Sequence, residues 1–86
     1  MDTDERNLAR IRWRCHRGML ELDLFLQAFF DDCFQALTTS EQEQFELLLK
    51  ETDPDIWAWI LGYEAVKPEF VELIEKIRQH NADHPT

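Results

Sequence analysis

At 86 residues, with a net charge of −9 and 44% hydrophobic content, the chain has room for one domain, burying about 60–68% of its unfolded surface around a single core. Two Gly and three Pro are too few for a disordered or linker-rich chain, and no apolar run reaches the ~18 residues of a membrane span. The acidic balance repels nucleic-acid phosphates and anionic lipid except at a local basic end. The start, Met1-Asp2-Thr3-Asp4-Glu5, lacks the apolar stretch of an export signal, so Cys15 and Cys33 are expected as reduced thiols in a cytoplasm.

The periodicity is helical nearly throughout. A first helix is predicted from about Asp4 to Arg14, with Leu8, Ile11 and Cys15 on one face. Gly18 then marks a break or tight corner, because Gly weakens a helix by about 1 kcal/mol relative to Ala. The second helix carries Leu22, Phe25, Leu26, Phe29, Phe30, Cys33, Phe34 and Leu37 at the spacing of one helical face. Leu20 and Leu24 add apolar surface on another side, which predicts a central helix covered by several others.

Thr38 and Glu41 form a capping box for a third helix, whose buried face is Phe45, Leu48 and Leu49. Asp53-Pro54 opens a fourth, with Asp53 as cap and Asp55 to Leu61 as body, ending at Gly62. A fifth begins near Lys67-Pro68, buries Phe70, Leu73, Ile74 and Ile77, and places Arg78 and His80 near the negative end of its dipole. The expected architecture is a single all-α domain, a small five-helix bundle over residues 1–86, with an ordered core from about 4 to 80 and a polar tail over 81–86.

Sites of chemistry are scarce. Cys15, His16 and Cys33 lack the spacing of a zinc site. Cys15 and His16 are adjacent in sequence, with no third group to orient the imidazole. No Gly-rich phosphate loop exists in a chain with two glycines. These patterns predict neither an enzyme, nor a metal, nor a cofactor held tightly by this chain.

The charge distribution is more informative. Residues 1–17 hold five of the nine bases against three acids, whereas the remainder holds four bases against fifteen acids. Arg6, Arg10, Arg14 and Arg17 form a stripe with Trp13 beside it, which suits either nucleic acid or pairing with the acidic body. Arg17-Gly18-Met19-Leu20-Glu21 follows directly. Placed on a helix start, Arg17 and Glu21 share a face in the weaker order for an ion pair, the cation opposes the dipole, and Gly18 lowers helix stability. Choices that are poor for folding mark sites. The segment is therefore either a docking surface or a corner with a local salt bridge. As exposed positions, Arg17→Ala and Glu21→Ala would each change stability by about 1 kcal/mol or less.

The run Arg10-Ile11-x-Trp13-x-Cys15-x-Arg17-Gly18-Met19-x-Glu21-Leu22-Asp23 resembles the signature of the succinate dehydrogenase assembly factor 2 family, the small flavinylation factors of bacteria and mitochondria. Leu37 before a capped acidic turn, Phe45-x-x-Leu48-Leu49, Asp53-x-Asp55 and Trp59 follow in the family's order, so the likeness spans roughly residues 8–78. It implies a five-helix bundle that binds the flavoprotein subunit of succinate dehydrogenase, and in bacteria often of fumarate reductase. It further implies promotion of covalent FAD attachment to a histidine of that partner, the FAD belonging to the partner. By this resemblance Arg17, Gly18 and Glu21 lie on the contact surface, with Trp13, Arg14, Met19 and Asp23 of the same block beside them. The short tail departs from longer family members, and the lack of a transit segment implies a bacterial cytoplasmic protein. A monomer is expected. The competing expectation is a general helical protein–protein adaptor, or an antitoxin-like regulator of another protein.

Overall fold

A computed structural model describes residues 5–83. The chain forms α1 (Glu5–Trp13), α2 (Leu20–Cys33), α3 (Thr39–Leu48), α4 (Asp53–Leu61) and α5 (Val71–Asp83), with single 3-10 turns at Phe34–Ala36 and Pro68–Phe70. There is no strand among the described residues. The all-α five-helix architecture is the one the periodicity predicts. The start of the first helix expected at Asp4, and the tail over 84–86, lie outside the described residues.

The core follows the apolar spacing. Leu22, Leu26, Phe29 and Phe30 of α2 are buried together with Phe34 in the turn that follows. Phe45 of α3 sits among three of these rings, with centroids 5.9 Å from Phe29, 6.1 Å from Phe30 and 5.6 Å from Phe34, distances at which aromatic pairs attract. α5 packs on α2, α3 and α4, burying Leu73, Ile74 and Ile77. α1 joins the same core through Ile11, followed by Cys15 in the loop beyond it.

Caps and boundaries refine the sequence reading. The capping box is present: Glu41 N donates to Thr38 Oγ1 at 3.1 Å, and Thr38 N to Glu41 Oε1 at 3.0 Å. For α4 the cap is Thr52 rather than Asp53, with Asp55 N donating to Thr52 Oγ1 at 3.4 Å. Asp53 is instead the first helical residue, its carboxylate engaged elsewhere. α2 gives way to a 3-10 turn at Phe34 rather than running through Leu37. α5 continues through Asn81 to Asp83, past the point where a polar tail was expected.

Gly62 closes α4 at φ 80°, in the left-handed region that glycine enters without steric cost. Arg78, expected to serve the dipole of its own helix, reaches across and donates to the carbonyls of Ile60, at 3.1 Å, and Trp59. It thereby gives Ile60 O a donor at the C-terminus of α4, where helix carbonyls lack intrahelical partners, and gives Trp59 O a second donor beside Gly62 N. His80 is buried against the edge of Phe29, with its Nε2 2.8 Å from Asp32 Oδ2, joining the ends of α5 and α2.

Candidate functional site

The Arg17–Asp23 block occupies the loop from α1 to α2 and the first turn of α2. Arg17 lies outside the helix, since the cap of α2 is Met19; it therefore shares no helical face with Glu21. Its guanidinium turns inward and is only 13% exposed. It pairs with the Asp53 carboxylate and donates to the backbone oxygens of Leu49, at 2.6 Å, and Glu51. A cation thus sits at the carbonyl end of α3 and beside the acidic first turn of α4. The α3 dipole favours this placement, where the sequence suggested a conflict. Arg17 fastens the α3–α4 turn to the loop that follows α1.

Asp23 is also turned inward and is 8% exposed. Its two carboxylate oxygens accept the backbone N–H of Arg17 at 2.8 Å and of Gly18 at 3.2 Å. The loop is therefore held by Arg17 through Asp53 and by the following helix through Asp23. Between these anchors Gly18 adopts φ 93°, a left-handed backbone conformation that L side chains rarely adopt. A Cβ there would meet nothing within 4 Å; backbone angle, and not crowding, selects glycine. Gly18 is exposed, so its bare backbone faces outward from a rigid loop.

Around Gly18 the described side chains divide by direction. Glu21 is exposed and forms no ion pair among the described residues. Met19 is half-buried against the core. Trp13 is 73% exposed, its ring 5.3 Å from that of His16, and His16 Nδ1 lies 3.3 Å from Gln27 Nε2 on α2. Leu20 and Leu24, expected to be covered, are 71% and 52% exposed. They stand one turn apart on α2, with Gln27 a further turn along, so no helix of the bundle packs on this side. The sequence set Leu20 and Leu24 apart from the Leu22/Leu26/Phe29 face but did not reveal that this side stays on the surface, and it gave no signal for His16, which lies beside it through Gln27. Arg14 departs from the group, lining a groove with α3 instead.

Nucleophilic chemistry is not supported by this geometry. Cys15 is fully buried, with Sγ 3.6 Å from the Ile11 carbonyl, and burial pushes its thiol up to about 12. Cys33 is partly exposed, and its thiol is also raised, chiefly by burial and then by Asp32. Burial of this kind leaves Cys15 inert, whereas the raised thiol of Cys33 can still be reached from solvent. Iodoacetamide at about pH 8 is expected to label Cys33 in the folded protein and to reach Cys15 only after denaturation; peptide mass mapping reads the order. No group of three or more His, Cys, Asp or Glu residues converges for a metal ion among the described residues, and no described helix is long and apolar enough to cross a membrane.

Fold and site together describe a small helical bundle with an exposed glycine in its first loop, a carboxylate beside it that forms no ion pair among the described residues, and an exposed aliphatic and aromatic flank. Residues 9–81 match the family described as the flavinator of succinate dehydrogenase. The chain is 46% identical over 74 residues to the FAD assembly factor SdhE of Vibrio cholerae, covering 85% of this chain and 86% of that protein. It is 41% identical over 75 residues to the protein of the same name from Legionella pneumophila, covering 87% of this chain and 95% of the other. The solution structure of a UPF0350 protein superimposes with a TM-score of 0.78 at 44% identity, over 96% of this chain and 88% of that one. The chain belongs to the flavinator of succinate dehydrogenase family.

Proposed function

We propose that this protein is an FAD assembly factor that binds the flavoprotein subunit of succinate dehydrogenase and promotes covalent attachment of FAD to it. The observation that carries this reading is the Gly18 loop, which is exposed, flanked by a Glu21 that has no ion-pair partner among the described residues, and held from behind by Arg17 and Asp23, in a chain of the flavinator family. The FAD and the bond-forming chemistry belong to the partner. The assembly factor contributes binding energy to the partner conformation in which the flavin linkage forms, which shifts the population toward that state. Gly18, Glu21, Trp13 and Met19 make the contact in this reading, while Arg17 and Asp23 act through the loop they hold. The factor works as a monomer in a bacterial cytoplasm, and the flavoprotein subunit of fumarate reductase is a second client.

The test uses a host lacking the gene, complemented with variants, with covalent flavin read as fluorescence of the denatured flavoprotein subunit. Wild type is expected to restore the signal. Gly18→Arg is expected to lose most of it, because a long side chain covers the bare backbone. Glu21→Ala is expected to lower the signal while changing stability by no more than about 0.5 kcal/mol, as exposed substitutions do. Normal flavin incorporation with both variants would remove the site from the reading; normal incorporation in the empty host would remove the function.

A further inference from the structure

A second surface lies on the α1–α3 side of the bundle. Six of the nine bases hold a carboxylate partner: Arg10 with Glu46, Arg12 with Asp31, Arg17 with Asp53, Lys67 with Glu51, Lys76 with Glu41 and Arg78 with Glu75. Among the described residues Arg6, Arg14 and Lys50 hold none. In a chain of net charge −9, unpaired cations are the exception. Arg14 and Lys50 line one open groove of about 480 Å³, together with Arg10, Glu43, Glu46 and Leu47. Arg6 lies two turns before Arg14 on α1, extending the same stripe. Leu47 is 44% exposed and supplies apolar surface in the same groove.

This arrangement selects its occupant by chemistry. With Arg10 and Glu46 paired at 3.3 Å, Arg14 and Lys50 remain as open positive points in a groove that also holds Leu47. Glu43 and Glu46 stand on the α3 wall, and their charge opposes a continuous run of phosphates. Individual carboxylates that reach Arg14 and Lys50 separately avoid that repulsion. An apolar side chain between those carboxylates would cover Leu47. We propose that the groove docks an acidic segment of the client flavoprotein, in which carboxylates flank an apolar side chain. This proposal rests on the reading of the function above and gives the client a second point of attachment, beginning at Arg14 in the same loop and extending onto α3.

The experiment measures binding of the purified FAD-free flavoprotein subunit by calorimetry, at low and at physiological salt. The chains compared are wild type, Glu21→Ala and the double variant Arg14→Glu/Lys50→Glu. Neither base has an ion-pair partner among the described residues, so the double variant is expected to keep its circular dichroism and melting behaviour. It is expected to bind at least tenfold more weakly than wild type and to lose much of the salt dependence, because complementary charges across an interface are screened by salt. Binding and salt dependence equal to wild type would overturn the groove while leaving the function standing, and Glu21→Ala would still report on the loop. Failure of wild type itself to bind the subunit would overturn the function and, with it, this client. A single-stranded RNA oligomer serves as the competing probe. Tight binding to wild type that is lost in the double variant would assign the groove to phosphates and overturn the proposal.

Discussion

Arg17→Ala will lower stability by about 2–3 kcal/mol, the range for removing hydrogen bonds made by a charged group, several times the effect expected of an exposed arginine. The side chain joins Asp53 and the carbonyls of Leu49 and Glu51, so truncation strands three acceptors at the junction of α3 and α4. Arg17→Lys will recover only part of the loss, because a single ammonium cannot present the planar fork that meets several acceptors at once. Urea denaturation checks this through a lower midpoint at unchanged slope, the pattern of a true stability change. Capture of the flavoprotein will fall in parallel, and Asp53→Asn separates the causes. Asp53 has no place in the proposed contact, yet it anchors the same guanidinium. If Asp53→Asn weakens the fold and leaves binding untouched, Arg17 meets the partner directly and its role in holding the loop is secondary.

Sequence alone led to the opposite expectation for Arg17, for a definite reason. Helical spacing relates residues three or four apart, and within that range Arg17 has only Glu21 as a partner, in an unfavourable order. Its actual partners lie 32 to 36 residues away, and nothing in local pattern reports a contact of that separation. The same limit explains Asp53, which has the chemistry of a cap but is drawn to Arg17, leaving the cap to Thr52. The core was legible because burial follows periodicity: Leu22, Leu26, Phe29, Phe45, Leu48, Leu73 and Ile77 occupy predicted positions and are all buried. Periodicity also identifies a second apolar side on α2, at Leu20 and Leu24. It does not say whether another helix covers it. That depends on five helices being shared out around one core, and the share leaves these leucines outside.

Trp13→Ala will weaken capture of the flavoprotein subunit by roughly 30-fold or more, equivalent to about 2 kcal/mol, while leaving the free protein's stability nearly unchanged. Exposure decides the asymmetry. With 73% of its surface open, the indole contributes little to the bundle beyond its contact with His16. On a partner, an aromatic side chain buries on the order of 150–250 Å² when fully covered, worth about 25 cal/mol per Å² of apolar area, and tryptophan is among the residues that dominate interface energetics. Leu24, exposed on the adjacent helix, supplies the contrast: Leu24→Asp places a charge on the apolar flank without touching the core. If the Trp13 and Leu24 surfaces belong to one interface, the double variant will lose less than the sum of the two single losses, because groups that share an interface do not add independently. Additive losses would place them on separate contacts. Wild-type affinity in both single variants would confine the interface to Gly18 and Glu21, leaving the exposed flank of α2 with no part in capture.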